Sequence, residues 1–200
     1  MTQADKTRLS LLSRARRHDA QAWRELVDLY GPLIAHWCTK CSLSSHQSAD
    51  VIQEVFASVS RSLDTYQARK ENGSFRSWLW TITGNKVKDF FRRNANQGFA
   101  TGGSTALAQL EQIPEIAEQS LVPDEEPTGE SEITALVQRG LVQVRSEFEA
   151  RTWRIFQRSV VDEIPTAVVA EEFEVTPAAV RQSRSRVLRR LRQQLGDIEF

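Results

Sequence analysis

Apolar residues recur at intervals of three and four almost everywhere in this 200-residue chain, and no stretch alternates convincingly with a period of two. Spacing of that kind gathers side chains on one face of a helix, whereas a half-buried strand needs strict alternation. The expected fold class is therefore all-α. Leu9, Leu12 and Ala15 suit a short first helix. Asp19 can cap a second, with Ala22, Trp23, Leu26, Leu29 and Tyr30 on one side. Gly31-Pro32 is expected to kink or interrupt it, with Leu33, Ile34 and Trp37 continuing the apolar face beyond. Ser45 or Ser48 can open a third helix, striped by Val51, Ile52, Val55, Phe56, Val59 and Leu63. Glu71-Asn72-Gly73 reads as a loop, and residues 74–93, SFRSWLWTITGNKVKDFFRR, as a fourth helix.

The periodicity lapses between residues 95 and 130, which hold ANQG, TGGST, three prolines and the start of the acid-rich run PDEEPTGESE. This reads as a linker with a short helical piece at Ala106–Ile113. Helical spacing resumes at Ile133, Leu136, Val137, Leu141 and Val144, then at Trp153, Ile155 and Phe156, and in two segments near 165–173 and 177–194. The expectation is two small helical domains joined by an acidic linker: residues 1–97, a tether over 98–130, and residues 131–200. A chain of this length that is 40% hydrophobic can bury two modest cores. No apolar run approaches the roughly 20 residues that span a bilayer, and the first residues lack the pattern of a secretory signal. A cytoplasmic protein with no membrane insertion is expected. Its two cysteines imply no disulfide framework.

The formal net charge is zero, yet the charge is unevenly spread. Residues 1–97 carry 15 Lys+Arg against 9 Asp+Glu, residues 98–147 carry 2 against 9, and residues 148–200 carry 9 against 8. Within the last part, Val175 to Leu195 has six arginines and no acid. Two basic segments flank an acidic middle, and basic surfaces are the footprint of a polyanionic partner.

On a helical wheel the apolar residues of the fourth helix, Phe75, Trp78, Leu79, Trp80, Ile82, Val87, Phe90 and Phe91, spread over more than half the circumference. What remains is a narrow strip of Ser77, Thr81, Asn85, Lys88 and Arg92, with Asp89 beside it. The strip is either a solvated face or a row of amide, hydroxyl and cationic groups laid along nucleic acid; Thr81, Gly84 and Asn85 are poor helix formers for a mere solvent face. The segment DEIPTAVVAEEFEVTPAAVRQSRSRVLRRLRQQL has the form of a helix-turn-helix. Ile164, Val168, Val169 and Phe173 supply the apolar side of its first helix, Glu174-Val175 the turn, Thr176 an N-cap, and Pro177 the first helical position. Val180, Val187, Leu188, Leu191 and Leu195 form the stripe of the second helix. Arg181, Gln182, Ser185 and Arg186 then point outward where base edges would lie, and Arg189, Arg190 and Arg192 suit phosphates. A plain basic helix in a bundle is the competing reading; the short capped turn and the absence of acids favour DNA.

The stretch SADVIQEVFASVSRSLDTYQARKENGSFRSWLWTITGNKVKDFFRR resembles region 2 of bacterial sigma factors of the extracytoplasmic-function (ECF) type. The family pattern is an acid, then Val-x-Gln-Glu-Val-Phe, a loop, and Phe-x-x-Trp-Leu-x-x-Ile-x-x-Asn ending in Asp and Arg-Arg. Here it falls on Asp50, Val51, Gln53, Glu54, Val55 and Phe56, then Phe75, Trp78, Leu79, Ile82, Asn85, Asp89, Arg92 and Arg93. The start DAQAWRELVDLY is similar to region 2.1, and the helix-turn-helix to region 4, with Glu163-Ile164-Pro165-Thr166-Ala167 where that region often has Glu-Ile-Ala. The resemblance implies that Asp50, Gln53 and Glu54 dock on core RNA polymerase. It implies that Tyr66, Trp78, Thr81, Asn85, Lys88, Arg92 and Arg93 meet the −10 element, melting it and holding an unstacked base. Arg181, Gln182, Ser185, Arg186 and Arg189 would read the −35 duplex. Implied partners are core RNA polymerase and promoter DNA, with an anti-sigma factor as a candidate regulator.

Cys38 and Cys41 form a Cys-x-x-Cys near His36 and His46. Zinc needs four ligands, and only one cysteine pair exists, so buried free thiols are expected and no metal. No Gly-rich phosphate loop, nucleophile motif or paired carboxylate appears, so neither catalytic residues nor a cofactor are expected. Two rivals remain: a helix-turn-helix regulator that works without core polymerase, and a helical interaction protein with no nucleic-acid role.

Overall fold

The computed structural model describes residues 10–66, 74–100 and 128–196, and every regular element among them is helical. In order these are α1 (Leu11–Arg16), α2 (Ala20–Lys40), α3 (Ser45–Ser62), α4 (Phe75–Ala100), α5 (Glu130–Arg145), α6 (Ala150–Phe156) with a π-helical turn over Gln157–Val161, α7 (Thr166–Glu172) and α8 (Pro177–Leu195). The chain forms two compact units, Leu26–Ile133 and Met1–Glu25 with Thr134–Phe200. Residues before Leu26 thus group with the C-terminal part rather than with α3 and α4. The loop expected at 71–73 and the helical piece expected at Ala106–Ile113 lie outside the described residues.

In the unit Leu26–Ile133, α2 runs unbroken through Pro32, so of the kink or interruption expected there the interruption does not occur. A mid-helix proline costs about 3 kcal/mol or more through a ring clash and a lost bond to the carbonyl four residues back. Both Pro32 and Asp28, which owns that carbonyl, are exposed, so water can satisfy the orphaned group. Meanwhile Leu29, Tyr30, Leu33, Ile34 and Trp37 are all buried, and continuing the helix keeps them in one row. α3 opens at Ser45, one of the two starts expected, and its cap is Ser44: its hydroxyl accepts from the Gln47 amide at 3.4 Å, and the Gln47 side chain accepts from the Ser44 amide at 2.8 Å. Ser48 instead faces the interior. α3 packs along α4, and edge-to-face pairs join α2 to α4: Tyr30 to Phe75 at 5.2 Å and Trp37 to Trp80 at 5.3 Å. α4 continues to Ala100, past the end expected at Arg93. The segment entering α5 is pinned to α2, with the Trp37 indole donating to Thr128 at 3.1 Å and His36 lying 3.6 Å from Glu132.

In the other unit, Leu11 and Ala15 are buried and α1 packs on α8. Asp19 caps α2 as expected, accepting from the amides of Gln21 at 2.8 Å and Ala22 at 3.1 Å. Arg14 bridges Asp19 at 3.0 Å and Glu25 at 2.8 Å. Gln194 of α8 donates to the Glu25 carboxylate at 3.0 Å and to Gln143 of α5 at 2.8 Å, while Gln143 donates to the Glu25 carbonyl at 2.9 Å. α5 and α8 approach closely at Gly140, where a Cβ would stand 2.9 Å from methyls of both Leu191 and Leu195. No described helix is long and apolar enough to cross a membrane.

The Glu25 carboxyl is held below its ordinary value: burial works to raise it, but the Arg14 and Gln194 hydrogen bonds outweigh that. Asp19 is lowered as well, chiefly by the Ala22 amide and then by Arg14. A carboxyl whose folded pKa is depressed contributes stability above its unfolded value, about 4, and loses it as pH falls through the folded value. The melting temperature is therefore expected to drop more steeply below about pH 4 for the parent than for Glu25→Gln. Superimposable profiles would show that this carboxylate is not linked to folding.

Candidate nucleic-acid interface

α4 is buried along Phe75, Leu79, Trp80, Thr83 and Val87, which leaves the strip of Thr81, Asn85, Lys88 and Arg92 exposed, with Ser77 half-buried. At 100° per residue these five side chains fall within an arc of about 80°. Ser74 opens the helix by accepting from the Ser77 amide at 3.2 Å, and Thr81 returns its hydroxyl to the Ser77 carbonyl at 3.1 Å. Arg92 pairs with Asp89 one turn back. Asn85 and Lys88 make no hydrogen bond or ion pair with another described residue, so both are free for an outside partner. Tyr66 is buried, its ring 5.5 Å from Phe75 and 4.8 Å from Trp78. It packs against Trp78, which stays half-buried, as do Phe90 and Phe91 further along α4. Asn85 lies two turns beyond Trp78, about 10 Å along the axis.

On α3, Asp50 and Gln53 are exposed, and Glu54 joins them on one face by its spacing. Glu54 also receives a hydrogen bond from Arg93 of α4 at 2.7 Å. Two residues that the sequence reading placed in different sites thus hold each other. They are 39 positions apart, and no local pattern marks the pair.

The helix-turn-helix is present over α7 and α8. Ile155, Val169, Ala170 and Val180 form its core, with Ile164, Phe173 and Val175 packed against them. Val168, expected on the apolar side, is instead 50% exposed. α7 is only two turns long and buries the row that includes Val169, and Val168 sits about 100° away from it. α7 ends with the Val175 amide bonded to the Ala170 carbonyl at 2.9 Å and the Glu174 amide to the Glu171 carbonyl at 3.2 Å. Thr176 then caps α8, accepting from the Ala179 amide at 3.2 Å, and Pro177 takes the first position. On α8, Arg181, Gln182, Ser185, Arg186 and Arg189 share one exposed face, and none bonds to another described residue. Arg190 differs from its expected phosphate role: it is buried, and its guanidinium forks onto Glu147 at 2.8 and 2.7 Å. Both ends of that pair come from different elements, so the sequence gives it no signature.

Cys38 and Cys41 are buried free thiols. Burial, with Cys41 alongside, pushes the Cys38 pKa up to about 12, so it stays protonated at neutral pH. Among the described residues no group of three or more His, Cys, Asp or Glu side chains could hold a metal ion.

A family model for sigma-70 region 2 matches residues 26–97, and its first residue, Leu26, is also where the first compact unit begins. The ECF RNA polymerase sigma factor SigW of Bacillus subtilis is 20% identical over 187 residues, which cover 94% of this chain and 96% of that protein. Residues 26–97 thus match sigma-70 region 2, and the chain is similar over nearly its whole length to an ECF sigma factor. The ECF RNA polymerase sigma factor SigE of Mycolicibacterium smegmatis is 30% identical over 134 residues, 64% of this chain and 46% of that protein. Sigma factors serve transcription initiation, and that frames the exposed polar rows on α4 and α8.

The turn of the helix-turn-helix carries backbone strain. Glu174 has φ 51°, left-handed, where glycine is the ordinary choice. Glu174→Gly is expected to raise the stability of the C-terminal unit by about 1 kcal/mol, read from denaturant midpoints. A lower midpoint would mean that the Glu174 side chain contributes more than its backbone costs.

Proposed function

We propose that this chain carries core RNA polymerase to promoters by gripping DNA at two places, with each unit supplying one helix as the reader. The observation that carries the reading is the pair of exposed rows whose polar groups have no partner among the described residues: Asn85 and Lys88 on α4, and Arg181, Gln182, Ser185, Arg186 and Arg189 on α8. A fold that needed these groups for its own stability would have paired them.

In this reading α8 lies in the major groove of the −35 duplex. Arg181 and Arg186 donate to guanine edges, Gln182 and Ser185 reach neighbouring bases, and Arg189 meets phosphate. The −10 strand lies along α4. Trp78 offers a surface on which an unstacked base can stack for about 1–3 kcal/mol, with Tyr66 beneath it as support. Asn85 reads a different nucleotide, because two helical turns separate it from Trp78. Thr81 holds the backbone near Asn85, and Lys88, Arg92 and Arg93 lie toward phosphates. Asp50, Gln53 and Glu54 form the face offered to the polymerase. The chain works in the cytoplasm, with an anti-sigma factor as regulatory partner and no cofactor. The polymerase performs the chemistry.

Two measurements test this. Asn85→Ala is expected to lower open-complex formation at least tenfold in a reconstituted assay while leaving association with core polymerase unchanged. Equal promoter opening by the variant would remove Asn85 from the site. Arg181→Ala and Arg186→Ala are each expected to weaken binding to a −35-containing duplex by about 1–3 kcal/mol and to relax base preference. A parent that bound promoter DNA equally well without polymerase, and that failed to associate with it at low salt, would favour the rival reading of a free-standing regulator.

A further inference from the structure

Of the six arginines of α8, Arg190 alone is buried, at 7% exposure. Its Nε donates to one Glu147 oxygen at 2.8 Å and an Nη to the other at 2.7 Å. Glu147 stands in the connection between α5 and α6. Stability is a poor explanation for such a pair, since well-packed apolar residues in its place commonly leave a fold as stable or more so. What the fork supplies is direction. Two parallel bonds fix the plane and position of the guanidinium, whereas the contacts of Val187, Leu191 and Leu195 are non-directional. An apolar stripe with three-and-four spacing can also seat one helical turn away, about 5.4 Å along the axis.

Register is the property that a reading helix must hold. A turn of α8 by roughly 30° would sweep a side-chain tip at a radius of about 5–6 Å through about 3 Å. That exceeds the tolerance of a hydrogen bond to a base edge. Arg190 is one turn beyond Arg186, so whatever fixes Arg190 fixes the adjacent row. Gln194, one turn further and 1% exposed, supplies a second polar pin through Gln143 and Glu25.

We propose that Arg190, through its fork on Glu147, is a positioning residue that sets the rotational and axial register of α8. It thereby decides which base edges Arg181, Gln182, Ser185 and Arg186 can reach. The inference rests on the reading of α8 as the −35 helix. It assigns Arg190 to specificity, whereas a phosphate contact would assign it to affinity.

The test uses the full chain with core polymerase and a promoter whose start has been mapped from a library, compared with the same duplex scrambled at −35. The double variant Arg190→Met, Glu147→Leu removes the fork while keeping volume and apolar packing. Expected are a parent-like helical spectrum, unchanged binding to the scrambled duplex and an unchanged salt slope, with the ratio of matched to scrambled affinity reduced at least tenfold. Arg190→Lys, which keeps the charge and loses the fork, is expected to show the same loss. A double variant with the parent's ratio overturns the inference and leaves the −35 reading standing. So does a salt slope lowered by about one, the mark of a lost phosphate contact. A parent with no preference for the matched duplex takes both down. If the double variant does not fold, the ratio is read on Glu147→Gln, which keeps shape and one acceptor. A threefold or greater fall is then expected, and an unchanged ratio overturns the inference.

Discussion

Burial of α4 on two sides leaves that helix a single narrow wet strip, and the first unit is organised around that constraint. Phe75 and Trp80 are each gripped edge-on by an aromatic of α2, while Thr83 turns its hydroxyl back to the Leu79 carbonyl at 2.8 Å. A helix wedged in this way cannot roll, so Thr81, Asn85, Lys88 and Arg92 keep their direction without mutual hydrogen bonds. Rigidity comes from apolar packing beneath, and the strip is free to be chosen for what it touches. α8 solves the same problem differently. Its apolar stripe is thinner, and the polar pins at Arg190 and Gln194 supply the direction that packing supplies in α4.

Charge counts alone overstate how many cations either helix can offer a polyanion. On α4, Arg92 is engaged by Asp89 and Arg93 by Glu54. In the C-terminal unit, Arg14 is held by Asp19 and Glu25, Arg158 by Asp162 and Glu172, and Arg190 by Glu147. The surface pairs are weak and can yield to a phosphate, since exposed ion pairs contribute about 0–1 kcal/mol. The buried fork is different, because breaking it would strand a charge in the interior. The Glu54–Arg93 pair is the more consequential surface case: it couples the exposed face of α3 with the basic end of α4, so a partner that engaged either residue would release the other.

Much of this was legible in the sequence, because three-and-four spacing records helix faces directly. The wet strip of α4, the Asp19 cap and the Thr176-Pro177 entry to α8 all follow from local rules. Gly31-Pro32 does not interrupt α2, because the local penalty for proline is outweighed by five buried residues on one face, which is a tertiary term. The opening of α3 at Ser45 is legible too, and the cap one residue before it, Ser44, is marked by Gln47 three residues on, which completes a capping box. Arg190 and the Glu54–Arg93 pair were invisible for another reason. An arginine in a basic run looks the same whether it faces water or a carboxylate 43 residues away. Val168 marks the limit of face-reading in a helix of two turns, which buries one row and leaves the next to solvent.

The small number of free cations bears on why both modules belong to one chain. Each phosphate contact contributes a salt-dependent increment, and a helix offering only a few of them binds duplex weakly at physiological ionic strength. Raising affinity by adding arginines would strengthen every sequence equally and so dilute discrimination. In the proposed reading, joining two weak readers would make the second contact intramolecular, at an effective concentration that rewards only sites presenting both elements. A net charge of zero fits that design. For a chain that binds DNA as proposed, a low overall charge would limit long-range attraction to arbitrary DNA. At contact distance, in the proposed reading, each free arginine would still act on the phosphate or base edge directly before it.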